Sequence, residues 1–133
     1  MKITAKAIIE VAGFPKEHVE KSIQDIASQL DKNEEFKVIS KEIEEVKEVN
    51  KMWATFIDTE LEFENLKDLL KFNLYFLPSS VEIVEPEKLN IDTNEMSDFM
   101  NTMQAKLHEY TGAINKLIIE NKFLKKKAES SSQ

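Results

Sequence analysis

The side chains able to do chemistry here are few and widely spaced. His18 lies among charges in an early helical stretch, and His108 stands beside Glu109 near the end of the chain. A metal site on one helix needs donors three or four residues apart, and neither histidine has a second histidine or a cysteine at such a spacing. No metal site is expected. Glu42, Glu44, Glu45 and Glu48 form an acidic run that attracts cations weakly, but lysines are interleaved with it and such runs read as solvated faces. Ser79 and Ser80 follow Pro78 at a turn with no base placed to activate either hydroxyl, so they read as turn formers. Phosphate cradles need several glycines, and the chain has 2, Gly13 and Gly112. Gly112 reads as a close packing approach or a local softening of a helix.

Composition narrows the chemistry further. All 18 basic residues are lysine, which removes bidentate carboxylate and phosphate clamps, arginine fingers and the guanine-reading fork together. The acylphosphatase type of ferredoxin-like enzyme depends on an arginine and is excluded with them. The absence of cysteine removes disulfides, thiolate metal sites and cysteine nucleophiles. A net charge of -7 opposes binding to nucleic acid or anionic membrane, although Lys125 to Lys127 can touch either weakly. Trp53 and Phe56 lack the basic company that RNA-recognition strands require. The start is not signal-like and no apolar run is long enough to span a bilayer, so a soluble cytoplasmic protein is expected. Neither catalytic residues nor a cofactor can be named, and the chain is expected not to be an enzyme.

The strongest pattern is instead one of association. From Met96 the apolar side chains fall at Met96, Met100, Met103, Leu107, Tyr110, Ile114, Leu117 and Leu124, in alternating steps of four and three, with Asn121 the one polar member. This is a coiled-coil seam on a long helix over 92–127, and it predicts a homodimer, parallel or antiparallel, with the rival arrangement that Met96 to Leu107 lies over a bare sheet face of the same chain. Asp92 and Glu95 form a capping box at its start, with Ile91 and Met96 as a hydrophobic staple. Asn121 at a core position favours a parallel register, flanked by Glu120 and Lys125 of the facing strand, if it is buried rather than facing water near a fraying end. Phe99, Ala113 and Ile118 widen the stripe, while Ile119 and Phe123 point elsewhere. Residues 128–133 carry too little apolar surface to order and read as a disordered tail.

The 133 residues leave room for one compact domain, read as 1–89, ahead of that helix. Alternation over Lys2 to Val11 marks a strand, and Pro15 to Leu30 a helix with Val19, Ile23, Ile26, Ala27 and Leu30 inward. Phe36 to Ile43 reads as a second strand, Glu44 to Asn50 as a charged turn, and Met52 to Phe63 as a central strand. Asn65 caps a helix to about Leu77 with Leu66, Leu69, Leu70, Leu74 and Leu77 inward, and Pro78 stops it. Val81 to Glu85 is a last strand, held at an edge by Pro86. This order predicts an α+β, ferredoxin-like βαββαβ sandwich with two helices on one face of a four-stranded antiparallel sheet. On the other face fall Ile8, Ile39, Met52, Ala54, Phe56 and Val84, an apolar patch expected to be covered by the chain's own long helix, a second copy of the domain or a different protein partner.

Met52-Trp53-Ala54-Thr55-Phe56, Leu77-Pro78-Ser79-Ser80-Val81-Glu82-Ile83, Glu85-Pro86-Glu87 and Lys106-Leu107-His108-Glu109-Tyr110 resemble segments of an uncharacterised, mainly archaeal family. The resemblance covers most of the chain and implies an archaeal source, but no activity. In element order the domain is also similar to amino-acid-binding ACT modules. Those carry an acidic residue and a Pro-Gly turn after the first strand, where this chain has Ala12-Gly13-Phe14-Pro15. Two functions are therefore carried forward: a non-enzymatic oligomerisation module that scaffolds or regulates a larger assembly, and an ACT-like sensor binding a metabolite at a dimer interface.

Overall fold

A computed structural model describes residues 2–131, and the chain divides into one unit ending at Asp92 and another beginning at Thr93. The first contains β1 (Ile3–Gly13), α1 (Lys16–Lys32), β2 (Phe36–Ile43), β3 (Lys47–Val49), β4 (Met52–Phe63), α2 (Leu66–Phe76) and β5 (Ser80–Glu85). The strands pair antiparallel in the order β2-β4-β1-β5, with β3 beside the start of β4. Setting aside the short β3, this is the split βαβ arrangement, a ferredoxin-like α+β fold.

Period-two alternation decides which face each strand buries. Ile3, Ala5, Ala7 and Ile9 of β1 are buried, as are Thr55, Ile57, Thr59, Leu61 and Phe63 of β4, and the residues between them are more exposed. Against that face α1 lays Val19, Ile23, Ala27 and Leu30, one side of a 3.6-residue repeat. Each fully buried Ile, Leu or Phe contributes about 1.5–3 kcal/mol, so this face carries most of the unit's stability.

The edge of the sheet departs from the predicted turn over 44–50. The register between β2 and β4 shifts between Val38 and Ser40, and the edge then resumes as β3, with Lys47 opposite Ala54 and Val49 opposite Met52. Asn50 and Lys51, at φ 50 and 67, close the hairpin with two left-handed residues, the geometry of a type I′ turn. The charges that suggested a loop are accommodated because β3 is an exposed edge, where lysine and glutamate are favoured.

The first register shift also turns Lys41 toward α1. Its ammonium donates to the Ala27 carbonyl at 3.2 Å and pairs with Asp31, placing a cation at the negative end of the helix. At the start of α2 the Asn65 side chain accepts from the Asp68 N–H at 2.9 Å, the predicted cap.

At the far end of α2, Leu77 takes up the left-handed conformation with φ 47 and is 65% exposed. The helix has ended at Phe76, so Leu77 leaves the inward stripe predicted for it. Leu74 is only half-buried, and Phe72 is buried in its place. The cause is an aromatic cluster. Phe36 and Phe63 are paired in register, with ring centroids 5.4 Å apart, and Phe72 lies 5.6 Å from each. Phe76 adds an edge contact to Phe36 at 6.1 Å, so two rings one helical turn apart set how α2 lies on the sheet.

The second unit is α3 (Thr93–Ser131), 39 residues and about 58 Å at the usual rise. It is longer than the predicted 92–127. Residues 128–131 are helical rather than disordered, and Ser132 and Gln133 lie outside the described residues. Ala, Glu and Lys are good helix formers, and each residue added to an existing helix gains a hydrogen bond without a new nucleation cost. The helix continues through Gly112, where an added Cβ would meet nothing within 4 Å. Among the described residues no close packing approach therefore accounts for that glycine.

Candidate interaction surfaces

The residues with chemical potential remain apart. His18 and His108 are exposed on α1 and α3. Ser79 donates its Oγ to the Ile8 carbonyl at 3.2 Å and its N–H to the same oxygen at 2.8 Å, so it ties the start of β5 to β1. Glu42 stands opposite Asp58 in the β2–β4 ladder and Glu48 opposite Trp53 in the hairpin. Among the described residues no group of three or more His, Cys, Asp or Glu side chains is placed to hold a metal ion.

The heptad seam lies along α3 without a break. Ile114, Leu117 and Leu124 are 55%, 62% and 61% exposed; Met96, Met100, Leu107 and Asn121 are exposed too, whereas Met103 and Tyr110 are half-buried. No residue of α3 is buried. Lys106 leans over the Tyr110 ring, its ammonium 5.5 Å from the ring centroid and 3.4 Å from the Glu109 carboxylate. Ile119 and Phe123 stand a turn apart on the side away from the seam, both exposed.

The second predicted surface is less contiguous than its residue types suggested. Ile8, Met52, Ala54 and Phe56 alternate with residues packed beneath the helices and so face away from α1 and α2. Met52, Ala54 and Phe56 gather at one end of that face, where Ala54 stands opposite Ala12. Ile8 stands opposite Asp58, next to rows containing Lys6, Glu60 and Glu82. Ile39 and Val84 are the residues left unpaired at the two register shifts, on opposite edge strands, and both are exposed. The face is thus apolar at one end and charged at the other.

Sequence reasoning missed the Phe72 and Phe76 pair, for which the signal was two aromatics four residues apart on the helix after Phe63. It also missed Lys41, whose inward course depends on a register shift that has no marker in residue type.

A ferredoxin-like α+β unit followed by a long helix with an apolar seam defines an α+β module with a helical extension. Residues 4–130 match the MJ0538 family, and the chain belongs to that uncharacterised archaeal family. It is 32% identical over 100 residues to the uncharacterized protein MJ0538 of Methanocaldococcus jannaschii, a stretch that covers 74% of this chain. The same stretch spans only 38% of the length of that relative. No solved structure matches the chain. No helix among the described residues is long and apolar enough to cross a membrane.

Proposed function

We propose that this chain is a non-enzymatic interaction module that pairs with a second copy through α3 and thereby scaffolds or regulates a larger assembly. One observation carries the reading: a heptad stripe of large apolar side chains continues into the distal half of α3, where Ile114, Leu117 and Leu124 are each more than half exposed in the single chain. Isolated apolar residues on a surface need no explanation, but a continuous stripe at coiled-coil spacing is stabilised when a second helix covers it.

Light scattering of the full chain tests the proposal. The expected mass is twice the 15.4 kDa of one chain, and Leu117→Asp is expected to return it to a single chain without loss of sheet signal in circular dichroism. A wild-type mass of one chain overturns pairing. Heating with pooled amino acids and nucleotides is expected to leave the melting temperature unchanged. A rise would instead favour metabolite sensing, because a ligand that binds only the folded state stabilises it.

A further inference from the structure

The course of α3 bears on how two copies would lie together. The helix is unbroken from Thr93 to Ser131, so Gly112 stands at its midpoint, and charge divides at that point. Before Gly112 the helix carries Glu95, Asp98 and Glu109 against one lysine; after it come Lys116, Lys122, Lys125, Lys126 and Lys127 against Glu120 and Glu129. Resting on the reading that α3 pairs with a second copy, we infer that the two helices run antiparallel in full overlap.

Full overlap about Gly112 places Met100 opposite Leu124 of the second copy, Met103 opposite its Asn121, Leu107 opposite its Leu117 and Tyr110 opposite its Ile114. Every layer then joins one of Met100, Leu107, Ile114 and Asn121, which share one core position of the heptad, to one of Met103, Tyr110, Leu117 and Leu124, which share the other, the layering that an antiparallel seam requires. The same overlap lays the lysine-rich end of each helix beside the acidic start of the other. It also opposes the helix dipoles, and it brings Lys106 beside Glu120 of the second copy on both flanks. Parallel pairing does the reverse, setting Lys122 and Lys125 to Lys127 of one chain next to the same four lysines of the other.

Asn121 is the one residue that argues for the parallel arrangement, where its amide would meet its own counterpart. In the antiparallel layer it meets Met103, whose flexible thioether adapts to a polar neighbour and accepts a weak hydrogen bond. One amide pair is set against the lysine clusters, the dipoles and two Lys106–Glu120 flanks.

The absence of cysteine makes cross-linking a clean test. Met103→Cys and Asn121→Cys are prepared as separate full-length variants and treated with a short bis-maleimide, alone and mixed. In the antiparallel pair two copies of either single cysteine lie about 27 Å apart, beyond the reagent's span, so covalent dimer is expected only in the mixture. Efficient linking of Asn121→Cys to itself overturns the inference in favour of the parallel arrangement. A mass of two chains with no linking in any sample overturns it in favour of another register. A mass of one chain before treatment instead overturns the pairing itself. A charge swap gives a second readout. Lys106→Glu is expected to weaken association and Lys106→Glu with Glu120→Lys to restore it; failure of the double variant to restore it overturns the antiparallel flank.

Discussion

Thr59 donates its hydroxyl to the backbone carbonyl of Ser40 at 2.8 Å, across the point where β2 slips by one residue against β4. A slip of this kind takes backbone groups out of the ladder, and a buried polar group left without a partner is costly. Thr55 repeats the device four residues earlier on β4, donating to the Glu44 carbonyl where the edge breaks before β3. Two threonines inside an otherwise apolar row thus hold an irregular edge strand against a regular central one.

Thr59→Val keeps the shape and removes the donor. It is expected to destabilise the chain by about 1–2 kcal/mol in urea titration. Thr59→Ser, which retains the hydroxyl, should lose less. Equal stability of Thr59→Val and the parent would mean that the hydrogen bond does not hold the shifted edge.

The hairpin between β3 and β4 turns on Asn50 and Lys51, both left-handed. Lysine carries a steric penalty in that conformation and glycine does not, so Lys51→Gly is expected to raise stability by about 1 kcal/mol. The denaturation midpoint measures this directly. A lower midpoint would count against the two-residue turn.

Phe72 touches the rings of Phe36, Phe63 and Phe76, whereas Leu77 lies 65% exposed beyond the end of its helix. Phe72→Ala is therefore predicted to cost about 3–5 kcal/mol and Leu77→Ala less than about 0.5 kcal/mol. Thermal unfolding of the two variants ranks them. The opposite ranking would restore the leucine stripe suggested by the sequence.

Gly112 lies within the unbroken α3, and among the described residues none is close enough to an added Cβ to demand a glycine there. Gly112→Ala should gain about 0.5–1 kcal/mol of helix stability, read as a higher melting temperature of the helical signal in circular dichroism. In the seam read here Gly112 is at an outer position, so the gain should leave the mass in light scattering unchanged. Loss of association in this variant would place a partner against the glycine.

Element bounds were legible where apolar spacing was clear. β2 from Phe36 to Ile43 and β4 from Met52 to Phe63 begin and end as their side-chain pattern predicts, and Val19, Ile23, Ala27 and Leu30 are buried as their spacing requires, with Ile26 half-buried beside them. The order of these elements was enough to indicate the ferredoxin-like fold. The uninterrupted heptad spacing along α3 was likewise legible, because a helix places residues three and four apart on one side whatever surrounds it.

Tertiary structure decided what depends on a neighbour. The slip at Val38 and Ser40, the course of Lys41 toward α1 and the continuation of the edge as β3 follow from pairing with β4. The choice of Phe72 over Leu77 as a buried residue followed from the position of Phe36 and Phe63 on the sheet. The physical reason is the range of the interactions. Periodicity is a property of successive residues and is written in their order, whereas register and ring packing are settled between segments distant in the chain, by whichever arrangement fills space and satisfies buried polar groups.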